Sequence, residues 1–197
     1  ASGLFAIMTG WSTGGLALTP AQIAAADAFV LNNARHVLLH ELGHLLIDQF
    51  ELPVLGKEED AVDALATLIL LDSGNNDPLA LLSDTVDAWL YSERRRPRRG
   101  LGNSDFYGAH SLDIQRSFSI ACLMVGSDFD TFSFYSTRIG LPIDRQYSCS
   151  EDHRLAAHGW EVVLAAHNQS GGGGAGVTVE YLAPDLDQAG MAGLYST

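Results

Sequence analysis

The run Val37-Leu38-Leu39-His40-Glu41-Leu42-Gly43-His44-Leu45-Leu46-Ile47 constrains this chain more than any other stretch. It is an H-E-x-x-H match inside a strongly apolar helical pattern. Residues four apart lie one turn above each other on one face of a helix. Both imidazoles can therefore point at one metal ion, zinc being the expected one, with Glu41 beside them to handle a water. A lone histidine on such a face reads as a satisfied core residue. Two histidines and a glutamate among leucines need a shared purpose, because each buried polar group left unpaired costs roughly 1–3 kcal/mol. His36 precedes His40 by one turn. Three imidazoles at i, i+4 and i+8 span about 12 Å along the axis, too far to share one ion, so His36 is expected behind the site or at the surface.

A catalytic site of this kind needs a third protein ligand and one open position. Glu58-Glu59-Asp60-Ala61-Val62-Asp63, continuing through Leu71, reads as a second helix with an acidic first turn and an apolar body. Glu59 and Asp63 stand one turn apart on one face. N-terminal helix charge accounts for Glu58, Glu59 and Asp60, but poorly for Asp63, which lies among alanine, valine and leucine. Glu58 and Asp60 compete with Glu59 for the third ligand position. The first helix can run to about Phe50, and Glu51–Gly56 can then reverse the chain, Pro53 and Gly56 being the breakers. Six extended residues reach about 20 Å, enough to return Glu59 to the level of His44.

These two motifs resemble the gluzincin metallopeptidases, the thermolysin-like branch of the zincins, in which H-E-x-x-H is followed by E-x-x-x-D on an antiparallel helix. The resemblance matches Glu59 to the glutamate ligand and Asp63 to the aspartate that orients a zinc histidine, here His40. The chain departs from the pattern at Glu58, where Asn is frequent, at Val62, where Ser is frequent, and in a shorter gap after His44. The stretch from His40 to Leu71, together with Tyr107-Gly108-Ala109-His110-Ser111-Leu112-Asp113-Ile114-Gln115-Arg116 and the later Cys122 and Cys149, is also similar to a bacterial family of metallopeptidase type whose function is unknown. That likeness runs from about Val30 to His167.

The resemblance implies an α+β, mostly helical, zincin-like fold with few strands, and zinc held by His40, His44 and Glu59. It implies hydrolysis of a peptide or protein substrate, with Glu41 as general base. An Asp-x-x-x-x-His spacing resembles the thermolysin-like pair that stabilises the oxyanion, and nominates His110 with Asp105 behind it. Tyr107 is the alternative donor, and a helix-capping role at Ser111 is the competing reading of His110. Arg116 and Asp113 are expected in an ion-pair network with the zinc-site helices. The alternative function is a zincin-fold zinc-binding protein without peptidase activity, although such a protein would not need Glu41.

A length of 197 residues fits one domain, placed at 1–170, followed by the break Gly171-Gly172-Gly173-Gly174 and a C-terminal strand or tail to 197 in which Val177–Leu182 alternates. The formal net charge of −13 argues against nucleic acid as a partner. No apolar run approaches about 18 residues, so no membrane span is expected. Ala1–Phe5 lacks the basic start of a signal peptide. Cys122 and Cys149 are either two buried thiols or one disulfide. A bridge, the preferred reading, would close a loop worth roughly 3–4 kcal/mol and suit a periplasmic or extracellular protein.

The remaining pattern is helical. Thr19-Pro20-Ala21-Gln22 reads as a capping box, with an interruption expected near Asn32-Asn33. Further helices are predicted from Asp77-Pro78 to about Tyr91, from Leu112 to Val125, and from Glu151 to His167. Arg94-Arg95-Arg96-Pro97-Arg98-Arg99 reads as a solvated loop.

Overall fold

A computed structural model of the chain describes residues 18–74, 77–96 and 100–167. The chain divides into two units, 1–166 and 167–197, and all but one of the described residues belong to the first. Every α-helix and strand assigned among them is a helix: α1 (Pro20–Phe50), α2 (Glu58–Asp72), α3 (Pro78–Arg95), α4 (Asp113–Ser127), α5 (Phe129–Arg138) and α6 (Ile143–Ala165). A single 3-10 turn, Asn103–Asp105, interrupts the loop between α3 and α4. The mostly helical expectation therefore holds for the described residues, which contain no strand. The strand placed at Val177–Leu182 and the glycine run before it lie outside them.

α1 begins with the capping box read from the sequence. Thr19 Oγ1 accepts from the Gln22 amide at 3.2 Å, Gln22 Oε1 accepts from the Thr19 amide at 2.8 Å, and Pro20 takes the first helical position. The expected interruption at Asn32-Asn33 is absent. Both side-chain amides find acceptors that leave the helix backbone intact: Asn32 donates to Asp84 Oδ2, and Asn33 donates to the carbonyls of Phe29 and Asp84. Paired in this way to α3, they no longer compete for the helix's own bonds. The result is one continuous helix of 31 residues, about 46 Å long. It ends at Glu51, whose φ of 49° is left-handed, and Pro53 follows in the reversal.

α2 returns antiparallel to α1, pairing Glu58 with His44, Asp63 with His40 and Thr67 with His36. α4 is the central element. Its Ile120, Ala121, Met124 and Val125 are buried with Leu70 of α2, Leu82, Val86 and Leu90 of α3, and Phe132 and Tyr135 of α5. α5 falls on a stretch with no helix expected from the sequence. It is fixed by Tyr135, whose hydroxyl lies 3.1 Å from the Ser83 carbonyl and 2.9 Å from Asp87 Oδ1. α6 starts eight residues before the position expected for it, at Ile143.

Cys122 of α4 and Cys149 of α6 form a disulfide, as preferred from the sequence. One turn along α4, a side chain at Gly126 would overlap the Cys149 carbonyl, so the two backbones touch there. A second apolar cluster joins Ile47, Leu52 and Val62 to Trp160 and Val163, with Trp160 Nε1 donating to the Ala61 carbonyl at 3.2 Å. The open side of α1 leaves Val37, Leu38, Leu42 and Leu45 exposed around Glu41. Among the described residues no helix is long and apolar enough to cross a membrane.

Candidate metal centre

His40, Gly43 and His44 face α2 because they share one side of α1. A side chain at Gly43 would come within 2.8 Å of Val62 Cβ and Cγ1. Only a glycine lets the two helices approach this closely, and that approach brings Glu59, three residues before Val62, level with the histidines. His40 Nε2 and His44 Nε2 lie 3.2 Å apart, and Glu59 Oε2 lies 3.3 Å from the first and 3.6 Å from the second.

The outer nitrogens fix the tautomers. His40 Nδ1 lies 2.8 Å from Asp63 Oδ1, and His44 Nδ1 lies 2.7 Å from Glu58 Oε1, so each Nδ1 hydrogen is donated to a carboxylate. The tautomers follow from this bonding pattern. Each Nε2 then carries a lone pair, and both lone pairs meet the Glu59 carboxylate. Glu59 Oε2 is buried and has no correctly aimed hydrogen-bond donor, despite three imidazole nitrogens within 3.6 Å. Three electron-rich atoms in one small volume repel unless a cation lies between them. A tetrahedral ion with bonds of about 2.0–2.1 Å holds its ligands roughly 3.3–3.4 Å apart, close to the three separations found. The residues present fit a metal ion.

The surrounding charges have clear causes. Burial alone would raise the Asp63 carboxyl; hydrogen bonds and charge from Arg116 outweigh burial and hold it below its usual range. Arg116 Nε donates to Asp63 Oδ2 at 2.6 Å and Nη2 to Oδ1 at 2.7 Å. The hydrogen bond to Glu58 raises His44, against a smaller opposing effect of burial, with the charges of Glu59, Glu58 and Glu41 adding to it. His36 is buried behind the site, its Nε2 3.4 Å from Thr67 Oγ1, and burial lowers its pKa to about 4.

Glu41 is exposed on the edge of α1 next to this cluster. His110 arrives from the loop before α4. Its Nε2 lies 2.9 Å from Glu59 Oε2, and its side chain is 59% exposed. The loop is tied to the N-terminal end of α2 at two points: Nζ of the N-cap residue Lys57 donates to the His110 carbonyl at 3.3 Å, and Ser111 Oγ donates to Asp60 Oδ2 at 2.8 Å.

Several sequence expectations change here. Asp105 does not stand behind His110; its carboxylate is taken by the Gly102 amide at 2.7 Å and Arg96 Nη1 at 3.3 Å, within its own loop. His110 does not cap α4, whose N-cap residue is Leu112. Asp113 accepts from Ser92 Oγ, so only Arg116 of that pair joins the centre. Of the competing acids, Glu58 pairs with His44 and Asp60 with Ser111. Tyr107 is exposed. Sequence reasoning missed Glu58 as the partner of His44 and Trp89 as the ring beneath Arg116. An acid beside Glu59 was visible, but no pattern encodes the ring rotation that aims His44 Nδ1 at it.

The apolar cavity of about 280 Å³ lined by Ile47, Leu52, Ala61 and Trp160 includes none of the three candidate ligands. A family model described as "Putative metallopeptidase" matches residues 18–164. No curated protein and no solved structure matches the chain.

Proposed function

The chain belongs to the "Putative metallopeptidase" family, and from that premise we infer that it is a zinc-dependent peptidase of gluzincin type. The observation that carries the reading is the convergence of His40 Nε2, His44 Nε2 and the donorless Glu59 Oε2 on one point, beside an exposed Glu41. Zinc fits a set of two imidazoles and one carboxylate that leaves a position open. When bound, the ion would supply Lewis acidity, making a water acidic and polarising a scissile carbonyl.

The protein's own groups divide the rest. His40 and His44, oriented by Asp63 and Glu58, would hold the ion through Nε2 together with Glu59. The Glu41 carboxylate takes a proton from the attacking water and delivers it to the leaving amine nitrogen as the C–N bond breaks. His110 Nε2, 2.9 Å from Glu59 Oε2, would donate to the developing oxyanion. The substrate is a peptide or protein chain. The Cys122–Cys149 bridge favours a periplasmic or extracellular setting.

Purified protein is expected to carry about one zinc per chain by the coordination rule for such sites, and to cleave a peptide library in a chelator-sensitive way. Glu41→Gln keeps the zinc and loses roughly 10²–10⁴-fold in turnover, the usual contribution of a general base. Undiminished hydrolysis by Glu41→Gln overturns the mechanism. Full zinc with no hydrolysis of any peptide leaves a zinc-binding protein without peptidase activity.

A further inference from the structure

Arg116 lies on α4, a helix that supplies none of the three ligand atoms, yet its guanidinium ends one residue short of the centre. The fork closes on Asp63 with both arms, and Asp63 Oδ1 simultaneously accepts from His40 Nδ1. On its other side the guanidinium carbon stands 3.7 Å over the centroid of the Trp89 ring, from α3. The sequence Trp89, Arg116, Asp63, His40 thus runs unbroken through α3, α4, α2 and α1.

We propose that Arg116, backed by Trp89, is a positioning residue for the metal centre, setting through Asp63 the orientation and ligand strength of His40. The proposal rests on His40 being a metal ligand. Side-chain exposure of Arg116 and Asp63 is 8% and 7%, so the pair is buried. A buried ion pair is a poor source of stability, since removing two charges from water offsets most of their attraction. Its geometry is what the pair provides. Two parallel N–H···O bonds fix the plane of the carboxylate as one bond cannot, and the ring beneath fixes the plane of the fork. A carboxylate locked in that plane holds the His40 ring in a single rotation, with Nε2 turned to the point shared with His44 and Glu59. His44 has no such support, because its partner Glu58 is half exposed. The two histidines are therefore held to different tolerances, His40 rigidly and His44 loosely.

The test measures Zn²⁺ affinity by competition with a chromophoric chelator, and the absorption spectrum with Co²⁺ in place of zinc. Arg116→Gln is expected to weaken Zn²⁺ binding roughly 10–100-fold, the range for loss of a residue supporting a metal ligand. It should also shift the Co²⁺ bands. Arg116→Lys restores part of the affinity, having the charge without the fork. Arg116→Gln combined with Asp63→Asn binds no more weakly than Asp63→Asn alone, because both act along one route. Should Arg116→Gln fail to fold, Trp89→Leu gives the same test with a smaller, few-fold loss. A lowered unfolding midpoint with unchanged Zn²⁺ affinity and Co²⁺ bands makes Arg116 a purely structural residue and overturns the proposal, as does an additive double variant. His40→Ala separates the two readings. If it keeps full Zn²⁺ affinity, the ligand assignment fails. If it loses affinity while Arg116→Gln does not, only the positioning role fails.

Discussion

At the scale of single residues, Glu58 and Glu59 illustrate how much depends on direction. Both are first-turn acids of α2, yet Glu58 meets His44 Nδ1 and Glu59 sends a donorless oxygen between the two Nε2 atoms. The i, i+4 relation of Glu59 to Asp63 was legible because helical period alone fixes it. The partner of His44 was not, because it follows from a side-chain rotation. Asp105 misled for the converse reason: a spacing was visible, but an arginine in the same loop claims the carboxylate.

His36, also legible only as a residue off the metal, carries a pH prediction. Its imidazole stays neutral in the native state down to about pH 4, because burial disfavours the cation. An unfolded histidine takes up its proton near pH 6.5. Between those values the unfolded state binds more protons, so stability falls as pH falls. With each unit worth up to about 1.4 kcal/mol, the loss across the window is about 3 kcal/mol. Urea unfolding of chelator-stripped protein at pH 7 and pH 4.5 checks this. The His36→Gln variant should lose markedly less stability between the two; equal losses in both proteins count against the assignment.

At the scale of elements, the contact between α1 and α2 decides whether a centre forms at all. A methyl at position 43 would sit 2.8 Å from two Val62 side-chain atoms, so Gly43→Ala must push the helices apart or move Val62. Overpacking of this kind costs typically 1–3 kcal/mol, as an order of magnitude. Metal affinity should fall as well, since Glu59 withdraws with α2. Val62→Gly in the Gly43→Ala background, which removes both clashing atoms, should restore affinity while leaving part of the stability loss. Calorimetry and chelator competition on the single and double variants measure both effects. Unchanged affinity in Gly43→Ala would show that the helix spacing does not control the ligand set.

The helices α1 to α4 were readable from caps, breakers and 3.6-residue period. Asn32-Asn33 looked like an interruption because the sequence does not display Asp84, the acceptor that satisfies Asn32 from another helix. α5 was hidden because Phe129, Phe132 and Phe134 are spread among threonine, serine and aspartate, with Phe134 exposed and Phe132 buried. Packing of Phe132 and Tyr135 against α3 and α4 selects the helix there, and that contact is tertiary.

At the scale of the whole molecule, α4 is the hub and the disulfide is its fastening to α6. Cross-linking two cysteines 27 residues apart is worth roughly 3–4 kcal/mol in the chain-entropy model. Cys122→Ala with Cys149→Ala is expected to lower the denaturant midpoint accordingly, and dithiothreitol should do the same to the native protein. Chelator competition should show the metal centre largely retained at low denaturant, because the groups that build it come from α1, α2 and the loop and first turns of α4. A double variant as stable as the native chain would mean that the touching backbones at Gly126 hold α6 unaided. The bridge was readable as the preferred option. The pairing of α6 with α4 was not, because the last helix was expected only from Glu151, which left Cys149 outside it.

One feature of the candidate centre bears on how an ion would enter it. Side-chain exposure falls from 27% at His44 to 9% at His40, so the set is more open to water on the His44 side. On the proposed reading, a divalent ion entering from solvent would reach the more exposed His44 before the more buried His40. Capture would then pass through a loose encounter at His44 before seating at His40, and release would leave by the same side.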